Sequence, residues 1–494
     1  MSERSSGILM PVFSLPSKYG IGSFGKECYE FVDFLSSAGQ KIWQILPLVE
    51  TGYGNSPYSS VCSDSFNPFF ISPEILWERG LIDKEDLDFT VNEEKYVDYG
   101  FLYSVRLPLL KKAFDRAGKE DPEFTAFLST DKAEDYALFS AIKYKYGGKP
   151  FYEWEDKYLK RDKTALETFK KENPEEYLFR RFLYFEAERE WLSVKKYAND
   201  NGVKIIGDIP LYVAGDSADV WAHPELFKLG KDYKPRKKAG VPPDYFSKDG
   251  QLWGNPVYDY EKHKKDGFSW WIKRLNTALS TCDYVRIDHF RGLSSYYEID
   301  GDSDTAKDGE WVKVPSDELF SAIENGVDKS RIVAEDLGII DDGVKELLKK
   351  TGFPGMKVLS FAFNGEPDNP YLPEKIPYNS VCYTGTHDND TLSGLIEKFS
   401  DWDGNNFYKG VKNSLAIFGM SESDPITDVI KLGMASKAKI FVTNIQDVLG
   451  LDSDYRFNEP GTVKPQNWAV RFKNTDFTES AAKFLRTLSK EFKR

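Results

Sequence analysis

DYVRIDHF, residues 283–290, is the stretch whose reading decides the fold. It is a short, β-branched and aromatic run that closes on charged residues. A parallel strand covered on both faces reads this way, with its carboxyl end opening onto a site. Working outward, seven further segments have the same form: GILMPVF at 7–13, KIWQILPL at 41–48, KIIGDIPL at 204–211, IVAEDLG at 332–338, KVLSFAF at 357–363, SVCYTGTHD at 380–388 and KIFVTNIQDVLG at 439–450. Helical patterns lie between most of them, such as GKECYEFVDFLSSAGQ before the second and VKELLKKTG before the sixth. Strands alternating with helices to a count of eight predict an α/β fold, a (β/α)8 TIM barrel.

The spacing is uneven, so inserted subdomains are expected. The gap after the second strand, about 60–200, is rich in Lys, Glu, Phe and Tyr with helical periodicity in FLYSVRLPLLKKAFDRA and EEYLFRRFLYFEAEREWLSVKKYAND, and predicts a mostly helical insertion. A second insertion, about 212–282, carries GVPPDYFSKDGQLWGNPVYDY, whose Pro, Gly and aromatic density predicts an ordered covering loop at 240–256. The expected organisation is a single catalytic barrel over 1–494, and the length left after the last strand has no room for a C-terminal β-sandwich.

Composition narrows the class. The 494 residues contain 66 Lys+Arg and 79 Asp+Glu, a formal net charge of −13, which repels phosphate backbones and argues against a nucleic-acid partner. No run approaches the roughly 18 apolar residues of a membrane helix. Cys28, Cys62, Cys282 and Cys382 lie far apart, with neither zinc-site spacing nor the density of a disulfide scaffold, and the N-terminus has no signal-peptide core. A cytoplasmic, bacterial-type protein is the expectation. Aromatic residues make up 15% of the chain, a composition that suits sugar faces but that a bulky core also accounts for.

Catalytic side chains of such barrels sit at the carboxyl ends of strands. Five candidate strands end in acids: Asp208, Asp288, Glu335, Asp388 and Asp447. Any one of them alone has a structural alternative, capping a helix or bonding a loop amide. Arg286 and Asp288 are two apart on a strand and so share a face, and a guanidinium beside a carboxylate lowers its pKa and keeps it ionised. Glu335 is the inward acid of VAEDLG, with Asp336 pointing away. Facing another carboxylate, it should have a raised pKa that suits a proton donor. His387 adjoins Asp388. Paired carboxylates without a His/Cys cluster of ligand spacing point to glycosidic chemistry rather than to metal-assisted hydrolysis, so neither metal nor cofactor is expected.

RIDHFRG, VAEDLG and TGTHDND in this order resemble the strand-end motifs of the α-amylase clan. With GDIPLYVAGDSADVW, GVPPDYFSKDGQLWGNP and WQILPL, and with SPYSS, RFNEPG and NWAVR towards the two ends, the chain resembles the 4-α-glucanotransferases called amylomaltases, or disproportionating enzymes, of glycoside hydrolase family 77. The resemblance spans residues 7 to about 472. It implies transfer of 1,4-α-glucan segments by a retaining mechanism, with Asp288 as nucleophile, Glu335 as acid and base, and Asp388 holding sugar hydroxyls. It further implies that Arg286 orients Asp288, that His387 and Tyr58 meet the sugar at the cleavage point, and that Asp244, Phe246 and Trp253 cover the acceptor side. Ser56, Asp208 and Asn458 complete the implied substrate-binding set. The implied partners are maltooligosaccharides, amylose or glycogen-derived glucans. A hydrolase using the same three acids is the nearest competing function, and a non-catalytic glucan-binding protein a remoter one.

Overall fold

The computed structural model describes residues 4–89, 91, 95–117, 121–243, 248–338, 340–400 and 406–494. Eight strands form one parallel sheet: β1 (Ser5–Leu9), β2 (Ile42–Gln44), β3 (Lys204–Ile209), β6 (Tyr284–Ile287), β9 (Ile332–Ala334), β10 (Gly355–Val358), β11 (Ser380–Tyr383) and β12 (Ile440–Asn444). Their spatial order is β10-β11-β12-β1-β2-β3-β6-β9, all parallel. The ends of this order meet through the Ala334 N–H, which donates to the carbonyl of Pro354 at 3.0 Å. Asp336 ties the same seam with a carboxylate that accepts from the Met356 N–H at 2.5 Å and pairs with Lys357 at 3.1 Å. The sheet is therefore a nearly closed barrel, and all eight sequence-predicted segments supply its staves.

Each stave reads as an apolar run because helices cover its outer face while side chains fill the interior. Helices Lys26–Ser37, Ser269–Thr281, Ser316–Gly326, Asp342–Thr351 and Glu479–Glu491 pack around the outside. Between β10 and β11 the described connection holds only 3-10 turns, at Leu359–Phe361 and Pro373–Lys375, in keeping with its short length.

Among the described residues, eight α-helices between Pro73 and Asp200 occupy the long gap after β2, the last of them Pro174–Asp200. This 27-residue helix starts with Pro at its first position and Glu175 and Glu176 in the first turn, where a fixed φ and negative charge both favour initiation. It buries Phe179, Phe182, Tyr184, Phe185 and Trp191 against the rest of the molecule. Much of the high aromatic content is core of this kind: Trp43, Trp191, Trp221 and Trp271 are fully enclosed.

A second, antiparallel sheet has the order β5-β4-β7-β8, built from β4 (Lys237–Val241), β5 (Gln251–Pro256), β7 (Ser295–Asp300) and β8 (Glu310–Lys313). The covering segment is thus a hairpin rather than a loop, and two of the sheet's strands come from 295–313, where sequence reading predicts no element. Lys228 and Lys237 pair with Glu298 and Asp300 across it, at 2.5 and 2.7 Å. Gly250, at φ +66°, turns the chain into β5 where a Cβ would lie 2.4 Å from the Val241 carbonyl oxygen. Only seven residues, 288–294, separate β6 from β7, so this sheet is tethered directly to the mouth of the barrel.

Candidate active site

The register of the parallel strands assembles the site. Asp208 on β3 stands opposite Arg286 on β6, and Arg286 opposite Val333 on β9, so all three lie at one height near the carboxyl end of the barrel. The ladder runs one step further, with the Asp288 N–H on the Ile209 carbonyl (3.0 Å) and the Glu335 N–H on the Ile287 carbonyl (3.1 Å). Arg286 is buried and donates to Asp208 at 2.6 Å and to Asp288 at 2.8 Å. Burial pulls the guanidinium pKa down, but the two carboxylates push it further up, and it remains a cation.

Asp288 departs from the sequence expectation in its electrostatics. Burial raises its pKa above the usual carboxylate value; Arg286 and His387 pull it down, while Asp208 and Asp388 push it up. Arg286 acts in the anticipated direction, but desolvation outweighs it. Glu335 is pushed up to about 8, first by burial and then by Asp288, against the opposing pull of Arg286. Its two oxygens accept the His289 and Leu337 N–H groups, each at 2.7 Å. At neutral pH Glu335 is therefore a protonated acid beside Asp288.

Asp388 lies past the end of β11. Its Oδ1 accepts from the Asn458 side-chain amide at 2.6 Å and sits 3.5 Å from the His387 Nε2, while its carbonyl accepts from Arg456 at 2.5 Å. Tyr58 stacks on His387 with ring centroids 4.9 Å apart, and its hydroxyl bonds Asp208 at 2.6 Å and approaches the His387 Nδ1 at 3.3 Å. The Ser56 hydroxyl accepts from the Tyr58 N–H at 3.3 Å. The structure thus brings together Asp288, Glu335, Asp388, Arg286, His387, Tyr58, Ser56, Asp208 and Asn458. Asp208 stands apart in one respect: its side chain is fully buried, and Oδ2 serves both Arg286 and Tyr58.

Trp253, on β5, is 37% exposed and sets its indole edge-on against His289 at 4.9 Å. Asp244 and Phe246 lie outside the described residues. Asp447, the remaining strand-end acid, is buried and bonds the Thr384 hydroxyl (2.6 Å) and the Leu392 N–H (2.7 Å), a structural role. Among the described residues no group of three or more His, Cys, Asp or Glu has the geometry to hold a metal ion.

Trp468 and Arg456 escape the sequence reading. Trp468 leans on both Tyr58 and His387, at 5.6 and 5.8 Å, from a left-handed backbone with φ +61°. Both lie within motifs quoted above, RFNEPG and NWAVR, but nothing local in those letters says that they reach β11. A cleft of about 1200 Å³ runs from here between the Tyr53 turn, the helical insertion at Tyr103 and Tyr144, and the loop at Val463. Ser56, Asn458 and Trp468 belong both to its wall and to the acid cluster.

A parallel barrel whose mouth gathers an aspartate partnered by arginine and a glutamate with a strongly raised pKa has the make-up of an enzyme of glycosidic bonds. The chain belongs to the 4-alpha-glucanotransferase family, glycoside hydrolase family 77, whose model matches residues 10–476. It is 41% identical to the 4-alpha-glucanotransferase of Clostridium butyricum, over 98% of this chain and 100% of that one. To the Thermus thermophilus enzyme of the same description it is 43% identical, over 95% and 94%. The solved structure of the amylomaltase from Streptococcus agalactiae in complex with acarbose superposes with a TM-score of 0.94, at 39% identity and full coverage of both chains. The protein is a 4-alpha-glucanotransferase acting on 1,4-alpha-glucans, and maltooligosaccharides and glucans are its substrate class. No helix among the described residues is long and apolar enough to cross a membrane.

Proposed function

We propose that transfer proceeds by a retaining double displacement in which Asp288 is the nucleophile and Glu335 the acid and base. In the first half, an Asp288 oxygen attacks the anomeric carbon while the bond to the glycosidic oxygen breaks and Glu335 gives that oxygen its proton. A glycosyl-enzyme ester results, and the reducing-end fragment leaves. In the second half, the 4-hydroxyl of an acceptor glucan attacks the same carbon, releases Asp288 and returns a proton to Glu335. Asp388 holds the 2- and 3-hydroxyls as the ring flattens, with His387 and Tyr58 beside the sugar. Asn458 and Ser56 position Asp388 and Tyr58, while Asp208 holds Arg286. Trp253, with Asp244 and Phe246, covers the acceptor.

The observation that carries this reading is the contrast between the two acids: Glu335 at about 8 and Asp288 in a 2.8 Å bond to Arg286. Amylose or glycogen-derived glucans are the proposed natural donors, because a cleft of about 1200 Å³ accommodates several sugar units. A cytoplasmic location is proposed with them, in keeping with four buried, unpaired cysteines. Incubation with maltotriose tests the transfer reading. Longer oligosaccharides with glucose are expected; glucose and maltose alone would make the site a hydrolase.

A further inference from the structure

The turn that follows the nucleophile is built in an unusual way. His289 has φ +49°, a left-handed conformation that few residues other than glycine adopt, although histidine is among the more tolerant. This conformation turns two successive N–H groups towards the neighbouring strand end. The His289 N–H donates to Glu335 Oε2 at 2.7 Å, and the Phe290 N–H donates to the Glu335 carbonyl at 3.0 Å. The two consecutive N–H groups thus grip Glu335 at two different oxygens, one on its side chain and one on its backbone. The imidazole is held on two sides. Trp253 meets it edge to face at 4.9 Å from β5, and Gly292 closes the turn beneath it, where a Cβ would lie 3.1 Å from the His289 ring. Burial, with Arg291 nearby, pushes the ring pKa down to about 4, so it packs as a neutral group.

We propose that His289 is a positioning residue for Glu335: its left-handed backbone aims the N–H at the carboxyl group, and its ring, wedged under Trp253, locks that backbone to the covering sheet. The proposal rests on Glu335 being the proton donor. Strain of this kind persists where the surroundings over-determine it, and it clusters at functional sites. Its consequence is directional. A bond to the carboxylate form lowers an acid's pKa, so loosening the His289 N–H raises the pKa of Glu335. The charged and titratable groups facing Glu335 are Arg286 from β6, Asp288 just after it and Tyr371 from the segment after β10, and a substitution at position 289 removes none of them.

The test compares His289→Val, whose β-branched side chain disfavours a positive φ, with His289→Asn, which tolerates it. The readout is kcat, KM and the pH profile of maltotriose disproportionation. His289→Val is expected to lose roughly tenfold or more in kcat with KM within about twofold, and to move the alkaline limb up by about half a pH unit or more. His289→Asn is expected to recover most of the lost turnover and to return the limb towards its original position. A folded His289→Val with an unmoved limb overturns the proposal, as does a His289→Asn as slow as the Val variant. Should His289→Val fail to fold by circular dichroism, His289→Ala asks the same question, since its Cβ still disfavours a positive φ and should move the limb in the same direction. Glu335→Gln, measured alongside, separates the two readings. If the limb survives in its residual activity, Glu335 is not the donor; if it vanishes there but stays fixed in the 289 variants, only the His289 proposal falls.

Discussion

Asp288 and Glu335 end neighbouring strands of one barrel at nearly the same height, and they differ in what touches them. Asp288 receives a full positive charge at 2.8 Å, supplied by an arginine whose second amine is held by buried Asp208. Glu335 receives two backbone N–H groups at 2.7 Å and no cation at hydrogen-bond distance. Burial prevails at both acids; at Glu335, whose nearest partners are backbone N–H groups rather than a cation, the pKa climbs to about 8. In the proposed mechanism it is these partners, together with the deeper burial of Glu335, that separate a nucleophile from a proton donor.

The comparison is broken most severely at the nucleophile. Asp288→Asn is expected to lower turnover of maltotriose by about 10⁴-fold or more, because an amide cannot form the ester intermediate. The fold should survive, since Asp288 is at the solvent-facing rim of the barrel and not in its core, and circular dichroism with a maltooligosaccharide titration checks this. Retention of more than about a tenth of wild-type glucose release would remove Asp288 from the role.

A milder break removes the support and leaves the nucleophile. Asp208→Asn withdraws the carboxylate that holds both Arg286 and Tyr58, and frees the guanidinium to move. A loss of about 10- to 100-fold in kcat with a smaller change in KM is expected, the pattern of a group that acts through another. A purely KM effect would instead make Asp208 a binding contact.

The acid side is sharpened by pH. Glu335 must be protonated for the first half-reaction. With a value of about 8, the proton is present at neutral pH and is lost as pH rises past 8. The kcat/KM profile should therefore hold through neutrality and fall on an alkaline limb near that value. A limb below about 6 would show that the backbone N–H groups outweigh burial after all.

These features were unequally visible in the chain. The barrel staves were legible because a strand covered on both faces must be apolar, and an acid that closes such a run has few reasons to be there. Residue spacing placed Arg286 and Asp288 on one face, and the register added Asp208. What sequence could not carry was burial and backbone. The balance of desolvation against Arg286 at Asp288 depends on the packed environment, and the N–H donors of His289 and Leu337 are groups that every residue shares. Strands β7 and β8 escaped for another reason. SYYEID and EWVK mix charged and aromatic residues over four to six positions; the first pairs as a strand because β4 is there to receive it, and the second because β7 is. Arg456 and Trp468 act across more than 65 residues of chain, and no local pattern reports such a contact.

The smallest expected effect concerns the covering sheet and the choice between sugar and water. A glycosyl-enzyme is attacked by whichever hydroxyl arrives in line, and water is present at about 55 M, so an acceptor sugar wins only where it is held and water is kept out. Well-oriented groups reach effective molarities of ~10⁵ M or more, enough for a bound acceptor to prevail. Trp253 stands at the right place to supply part of that advantage: on β5, partly exposed, and against the residue that follows Asp288. Its ring nitrogen bonds Gln251 of the same strand at 3.1 Å, which leaves the indole faces available to a sugar. Trp253→Ala should therefore raise the ratio of hydrolysis to transfer by several-fold, less than the loss at either acid, because both carboxyl groups remain present. The measurement is the formation of new reducing ends relative to longer oligosaccharides from maltotriose. Should both rates fall together with their ratio unchanged, Trp253 would be an anchor for the hairpin, and the preference for transfer would have to reside in another part of the cleft.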